Sequence, residues 1–338
     1  NSRGTASTVN TNVHNLVQSN LGKNSYGYFF KDVNTLNYTN TNGSNPITLD
    51  DGSIFVYSDA TAGNVYNTQD LTTVGNGVIG LYQTGGTITN DGKLDFSAGT
   101  KNTAIYTANG TAINQSAGTI GVGASSFGMV TTGGTLTNDG KINITANKGT
   151  GMYSSSSNVT TNNGLITTAA GVTDAVGIYG KSVNNTSSGK ITVGDSDIAI
   201  YTDGGNVTND GDITVGNNKA IGVLAIGANQ NIALNGNVAI GDDSFGLVNK
   251  GNSNKITSNA SNTTLGTDAV FIYQNDNTGE VKNYTNLVST GDRNYGLYGN
   301  GTTENYGTID FSNGNGNVGM YATAGGVGTN FGTIKVGA

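Results

Sequence analysis

The stretch AIYTDGGNVTNDGDITVGNNK, residues 199–219, contains the unit from which most of this 338-residue chain is built. Its segments Ala199-Ile200-Tyr201, Asn206-Val207-Thr208 and Asp212-Ile213-Thr214-Val215 alternate apolar with polar residues, the pattern of strands with one buried face. Glycine-rich and Asn-Asp-Gly segments lie between them, and these residue types tolerate the positive φ angles of tight turns. One unit therefore predicts three short strands and three turns.

The unit recurs along the chain at spacings of roughly 24 residues, a period typical of solenoid proteins. The first strand is marked by a small or aromatic residue, an apolar residue and, in most copies, tyrosine. The copies are Gly80-Leu81-Tyr82, Ala104-Ile105-Tyr106, Gly128-Met129-Val130, Gly151-Met152-Tyr153, Gly177-Ile178-Tyr179, Ala199-Ile200-Tyr201, Gly222-Val223-Leu224, Gly246-Leu247-Val248, Phe271-Ile272-Tyr273, Gly296-Leu297-Tyr298 and Gly319-Met320-Tyr321.

This periodicity predicts an all-β chain folded as a right-handed parallel β-helix of about 12–13 coils of ~24 residues each. Each coil is expected to bury one apolar residue from its first strand, one from its second and two from its third. For three coils the predicted inward residues are Met129, Leu136, Ile142 and Ile144, then Met152, Val159 and Ile166, then Ile200, Val207, Ile213 and Val215. A β-sandwich would not require such self-similarity, and the consensus sequences of leucine-rich repeats and calcium-binding nonapeptide rolls are missing.

An asparagine recurs at the corner before the third strand, as Asn90, Asn138, Asn162, Asn209, Asn305 and Asn330. Stacked side-chain amides can form a hydrogen-bonded ladder between coils. Asparagine also suits the turn by itself, so the sequence leaves both interpretations open.

Two segments are predicted: residues 1–50 as an N-terminal cap with a degenerate first coil, and residues 51–338 as the β-helix. The first segment has poor periodicity and holds Pro46 and His14, the only proline and histidine. Residues 13–21 could form a short amphipathic element over the end of the solenoid. We also expect the natural protein to continue beyond Ala338, where a new coil should start.

Composition excludes several classes of function. The chain has a net charge of −7, and its 15 basic residues are scattered singly, so a nucleic-acid partner is not expected. No run of about 18 apolar residues could span a membrane as a helix. The absence of cysteine excludes disulfides and thiolate metal sites. No cofactor or metal site is predicted.

Catalysis is not expected either. Candidate acid pairs are Asp50-Asp51, Asp195 with Asp197, and Asp242-Asp243, but all lie in predicted turns, where aspartate is favoured for its hydrogen bonds to backbone. Glu280 and Glu304 are the only glutamates. A β-helix enzyme that uses clustered carboxylates remains a less favoured alternative.

The tyrosines of the first strands are the best candidate binding residues. If the apolar residue before each tyrosine points inward, strand alternation turns the ring outward. The stripe would consist of Tyr82, Tyr106, Tyr153, Tyr179, Tyr201, Tyr273, Tyr298 and Tyr321. Such a stripe could stack on sugars or anchor a protein interface. Alternatively, the rings could stabilise neighbouring coils by cross-strand contact.

The Ala/Gly-Ile-Tyr and Thr-Asn-Asp-Gly-x-Ile units resemble the passenger domains of type V autotransporters, most closely the large fusobacterial outer-membrane adhesins. This resemblance covers residues 54–338 well and implies a bacterial cell-surface adhesin, anchored in the outer membrane through a translocator absent from this chain, or secreted. The implied partners are host-cell receptors, glycans or other bacterial surfaces. A structural stalk that presents a binding tip located elsewhere is the alternative.

Overall fold

A computed structural model describes residues 7–13, 20–41, 46–323 and 325–337, and every regular element in these ranges is a β-strand. The strands pair in parallel with strands about one repeat away, as in the pair of Ile105 with Met129. The predicted all-β parallel β-helix, with about 13 turns, is confirmed. Contacts divide the chain into a first unit, residues 1–169, and a second unit, residues 170–338.

In the first unit, each turn contributes strands to three parallel ladders. The first ladder contains Tyr26–Phe30, Ile54–Ser58, Ile79–Gln83, Thr103–Thr107, Phe127–Thr131 and the start of Thr150–Asn162. The second contains Thr8–Val13, Thr35–Asn40, Ala62–Asn67, Thr87–Asn90, Thr111–Asn114, Thr135–Asn138 and the end of Thr150–Asn162. The third contains Asn20–Leu21, Ile47–Leu49, Leu71–Thr73, Lys93–Thr100, Thr119–Ala124, Lys141–Ile144 and Leu165–Thr168.

The second unit has the same three ladders. The first contains the start of Val176–Asn185, then Ile198–Thr202, Ile221–Ala225, Phe245–Asn249, the starts of Val270–Asn283 and Tyr295–Asn305, and Val318–Ala322. The second contains the end of Val176–Asn185, then Val207–Asn209, Asn231–Leu234, Lys255–Ser258, the ends of Val270–Asn283 and Tyr295–Asn305, and Val327–Asn330. The third contains Lys190–Val193, Asp212–Val215, Val238–Ile240, Asn262–Leu265, Asn286–Ser289, Thr308–Phe311 and Thr333–Val336.

The core of each unit consists of columns of apolar side chains that pack on the same position of the next turn. In-register pairing aligns them, as for Leu136 with Ala112 and Ile213 with Ile191. Ten of the eleven predicted inward residues are buried: Met129, Leu136, Ile142, Ile144, Met152, Ile166, Ile200, Val207, Ile213 and Val215. No single turn could bury these side chains, so stacking of turns creates the core.

The prediction for Val159 is wrong: its side chain is 48% exposed. The segment between Met152 and the corner Asn162 is one residue longer than the equivalent segment of the preceding turn, which ends at Asn138. Because the register is set from the corner, Leu136 pairs with Thr160, and Thr160 is buried instead. A shift of one residue exchanges the two faces of a strand.

The strands within residues 8–49 pair in parallel with the turn that follows them, as Thr8–Val13 does with Thr35–Asn40. The boundary at residue 50 and the cap remain predictions. The proposed amphipathic element falls largely on residues 14–19. These residues, which include His14, lie outside the described residues.

The corner asparagines form the predicted ladder. In the first unit, the Nδ2 atom of each residue donates to the Oδ1 atom of the next, at 2.8–3.0 Å, in the series Asn67, Asn90, Asn114, Asn138 and Asn162. All five side chains are buried. The same amide also donates to a carbonyl in its own corner, as from Asn90 to Gly92 (2.9 Å). The ladder thus supplies partners to polar groups that the core would otherwise leave unsatisfied.

The ladder is interrupted in the second unit. Asn185 donates to Asn209 at 2.7 Å, but Leu234 and Ser258 occupy the next two positions of the column. It resumes in the series Asn283, Asn305 and Asn330, with distances of 2.8 Å.

We expect Asn114→Ala to lower the free energy of unfolding by about 1–3 kcal/mol, because Asn90 loses an acceptor and Asn138 a donor inside the core. Urea unfolding followed by circular dichroism measures the change. Gln115→Ala, at the exposed neighbouring residue, is the matched control. Equal unfolding midpoints for the two variants would contradict a stabilising ladder.

Candidate functional site

The outer face of the first ladder carries two adjacent columns of mainly apolar side chains. The column that contains the predicted tyrosines, called here the tyrosine column, is Phe29, Tyr57, Tyr82, Tyr106, Val130 and Tyr153 in the first unit. In the second unit it is Tyr179, Tyr201, Leu224, Val248, Tyr273, Tyr298 and Tyr321. The aromatic rings of this column are half-buried or exposed, so they lie on the outer surface.

Rings in consecutive turns stack on one another. Tyr82 lies between Tyr57 and Tyr106, with ring centroids 5.0 and 5.1 Å apart and planes tilted by only 5° and 8°. In the second unit, Tyr298 lies between Tyr273 and Tyr321 in the same way, at 5.2 and 5.1 Å. A ring inside such a stack has both faces covered by its neighbours. It presents its edge to the exterior, whereas a sugar that stacks on an aromatic residue needs an open ring face.

Where the tyrosine column holds valine, the adjacent column holds phenylalanine. Phe127 lies in the same turn as Val130, and Phe245 lies in the same turn as Val248. Each phenylalanine packs edge-on against the tyrosine of the next turn. The ring centroids of Phe127 and Tyr153 lie 5.6 Å apart, and those of Phe245 and Tyr273 lie 6.3 Å apart. The aromatic volume of the face is thus retained in these two turns, whereas the turn of Leu224 has Ile221 in the adjacent column and no aromatic residue.

Stacking and burial also affect ionisation. Burial is the main cause that raises the pKa of Tyr57 and of Tyr298, and the neighbouring tyrosines of each stack act in the same direction. Tyr179 instead donates its hydroxyl to the Oδ2 atom of Asp203 at 2.7 Å, which joins the column to the turn after the first strand.

The acid pair Asp195 with Asp197 binds backbone amides. Asp195 accepts from the amide of Asn217 (2.9 Å), in the next turn. Asp197 is buried and accepts from the amides of Ala175 (2.8 Å) and Gly194 (3.1 Å). The two carboxylates lie two residues apart but accept from different backbone groups, and these hydrogen bonds stabilise the turns.

The other two pairs act similarly. Asp242 accepts from the amide of Thr267 (2.7 Å), one turn on. Asp50 accepts from the amide of Asp51, and Asp51 pairs with Lys23 at 2.9 Å, an ion pair that lowers the pKa of its carboxyl group. Among the residues that the structure describes, no three histidine, aspartate or glutamate side chains are grouped so as to hold a metal ion.

A shallow groove of about 280 Å³ lies on the outer face of the second ladder in the second unit. Its lining includes Asn206, Asn231 and Lys255, and the amide of Asn231 donates to Asn206 at 3.3 Å. This volume is at the lower limit of that of ordinary ligand pockets. None of the predicted acid pairs lines it.

A second aromatic group, which the sequence analysis did not single out, lies at the corner between the second and third ladders. Tyr284, Tyr306 and Phe331 stack in successive turns, with centroids 4.8 and 4.9 Å apart and planes tilted by 11° and 15°. We call these three residues the corner stack. Unlike the rings inside the tyrosine column, Tyr284 and Tyr306 are well exposed, at 46% and 39%.

A signal for this group was present in the sequence. The residue after the corner position is polar in the preceding turns: Thr68, Asp91, Gln115, Asp139, Asn163, Thr186, Asp210, Asn235 and Asn259. It becomes aromatic only in the last three. Both glutamates of the chain, Glu280 and Glu304, also lie in these turns. Comparing the repeats position by position, instead of matching their consensus, would have found it.

In the part of the chain that the structure describes, no helix has the length and hydropathy needed to cross a membrane.

We expect Tyr82→Val to lower the free energy of unfolding by about 1–3 kcal/mol, since it removes a ring stacked on both sides. Valine already occupies this column at Val130, so the backbone should tolerate it. Urea unfolding measures the loss, with Tyr66→Val, on the second ladder of the same unit, as control. If the control is destabilised as much as Tyr82→Val, the stack has no special role.

Alkaline pH should destabilise the fold. Because burial raises the pKa of Tyr57 and Tyr298, the native chain keeps these protons to higher pH than the unfolded chain does. The contribution of these groups to stability is therefore full below the unfolded pKa of about 10 and is lost as pH rises from there through the higher folded pKa. Phenolate absorbance during titration of the folded and the urea-unfolded chain measures the difference in pKa. Urea unfolding midpoints at pH values below and above about 10 measure the loss of stability. Identical titration curves would contradict this.

Comparison with known proteins identifies the family. The family model described as BigA third pectate lyase-like domain matches residues 2–179, which is more than half of the 338 residues. No curated protein and no solved structure matches the chain. The matched range begins near the N-terminus and covers the first unit almost entirely, including the three ladders and the asparagine ladder described above. The chain therefore belongs to the family of BigA third pectate lyase-like domains.

Proposed function

We propose that this chain is the passenger of a bacterial surface adhesin and acts by non-catalytic binding. The observation that carries the proposal is the corner stack: Tyr284 and Tyr306 are exposed aromatic side chains at a position where the repeat otherwise places a polar residue. Exposed aromatic groups on a soluble surface are typical of interaction sites. Membership in the BigA-like family fits a surface adhesin passenger.

The finer parts of the proposal come from the sequence resemblance. They are a place in a type V autotransporter similar to fusobacterial adhesins, anchoring in the outer membrane, a role in virulence, and host receptors, glycans or other bacteria as partners. The geometry of the carboxylates supports binding without catalysis. Asp195 and Asp242 each accept a backbone amide from the next turn, so these groups are engaged in holding turns together.

The tyrosine column favours a second function, that of a stalk. Its inner rings cover each other's faces, as Tyr57 and Tyr106 cover Tyr82, and cross-strand contact accounts for them without any ligand. In this alternative the tyrosines stabilise a solenoid that presents a binding tip located elsewhere. The sequence-based proposal that the tyrosine column binds a ligand remains a prediction.

The decisive experiment is binding of the purified 338-residue chain to cultured epithelial cells and to a glycan array. We expect saturable binding that excess unlabelled chain displaces. The control is the same chain after urea unfolding, which should lose specific binding. If the folded chain binds nothing while a longer protein that contains it does, the stalk function is correct and the adhesin function of this chain is wrong.

Catalysis is tested in parallel. Incubation with acidic and neutral polysaccharides should release neither reducing ends nor unsaturated sugars. Release that Asp195→Asn or Asp242→Asn abolishes would establish a β-helix enzyme and contradict the non-catalytic proposal.

A further inference from the structure

The corner stack departs from the polar residue that the repeat otherwise places at this position. In the two turns before it, the same column holds polar side chains that bond along the solenoid: Asn235 donates to Asp210 at 2.7 Å, and Asn259 donates to Asn235 at 3.0 Å. The exposed side-chain amides of those residues form hydrogen bonds between turns at this corner. Replacing them with Tyr284 and Tyr306 exposes apolar surface to water, which is unfavourable unless something covers it.

Charged side chains flank the stack on both sides: Glu280, Lys282 and Glu304 on the second ladder, and the Lys335–Asp310 ion pair (3.2 Å) on the third. Lys282 lies 2.9 Å from Glu280 and 3.8 Å from Glu304, and Glu304 also accepts the hydroxyl of Tyr306 at 3.0 Å. The two carboxylates exceed the single ammonium, so the border keeps a net negative charge. The chain as a whole carries −7. A partner with basic side chains complements this edge.

The size of the exposed surface limits what can bind. An aromatic side chain offers roughly 150–250 Å² of area, so the exposed fractions of Tyr284 and Tyr306 together amount to roughly 130–210 Å². A stable interface between folded proteins needs about 800 Å² on each partner. The stack is therefore too small to hold a second copy of this chain by itself, and has the size of the central contact of a larger interface.

The orientation of the rings limits the chemistry of the partner. Tyr306 lies between the other two rings at 4.8 and 4.9 Å, so both of its faces are covered. The outward ring edges carry partial positive charge on C–H groups, which pack against aliphatic groups or the faces of other aromatic rings. A pyranose ring would need the covered faces. The stack lies at the corner between the second and third ladders, and its line of exposed rings is called here a ridge.

We infer that Tyr284, Tyr306 and Phe331 form a ridge that docks into an apolar cleft of a partner protein whose border carries lysine or arginine side chains. Glu280 and Glu304 face that basic border and assist the encounter. This inference rests on the proposed adhesin function and names the class of its receptor: a protein surface, recognised through the corner of the second unit rather than through the tyrosine column.

The test is the double variant Tyr284→Asn with Tyr306→Asn. Asparagine is the residue of the two preceding turns at this position, so the fold should be retained, which circular dichroism and urea unfolding check. We expect binding of the full chain to cultured epithelial cells to weaken at least about tenfold, as for truncation of a central interface contact. Tyr66→Asn, the same substitution in the first unit, should bind like the unaltered chain.

Two further measurements identify the partner class. Trypsin treatment of the cells should abolish binding, whereas mild periodate oxidation of their glycans should leave it unchanged. The double variant Glu280→Gln with Glu304→Gln should slow association a few-fold and reduce its dependence on salt.

The outcomes separate the two proposals. If the unaltered chain binds but the double tyrosine variant, shown to be folded, binds equally well, the ridge is wrong and the adhesin function stands. Loss of binding after periodate treatment overturns the protein partner in favour of a glycan. If the unaltered chain does not bind the cells, the adhesin function fails, and the ridge fails with it.

Discussion

Parallel in-register stacking is the constraint on which the rest of this structure depends. A single turn of about 24 residues has no interior of its own, since its apolar residues are covered only by the turns on either side. Stacking brings identical positions together at the spacing of neighbouring strands, about 4.8 Å. Whatever occupies a position must therefore pack against a similar side chain in the next turn. Isoleucine and leucine form the core columns under this rule, asparagine forms the ladder, and tyrosine forms the ring stacks.

The same constraint explains where polar groups are used. The buried amide of Asn114 has a donor below it and an acceptor above it, so a group that would be costly in an apolar core becomes a link between turns. Aspartates in the turns also link one turn to the next: Asp242 accepts a hydrogen bond from a backbone amide of the following turn. Residue types that would mark an active site in a globular enzyme here hold the solenoid together. Positions where the repeat is broken are therefore the ones that stacking alone does not explain.

Two aromatic surfaces illustrate that criterion. The tyrosine column is regular, its inner rings are covered on both faces, and phenylalanine in the adjacent column replaces the volume wherever valine interrupts it. Contact between turns explains it. The corner stack occurs in three turns only, is more exposed, and coincides with the only two glutamates of the chain. Contact between turns does not explain why those turns abandon the polar residue used elsewhere.

The sequence by itself determined the fold class, the repeat length, the inward residues of most turns and the position of the asparagine ladder. Each of these follows from local alternation repeated at a constant period, which is visible in one dimension. The tertiary structure decided what depends on register and exposure. Val159 lies outside because one extra residue between Met152 and Asn162 shifts the strand by one position. The alternation of residues counted forward from Met152 does not reveal this shift. The tyrosines stack face to face, a geometry that only the distance and tilt between turns can establish. Tyr284 and Tyr306 were not singled out from the sequence, because their exposure is a property of the stacked turns and not of any one of them.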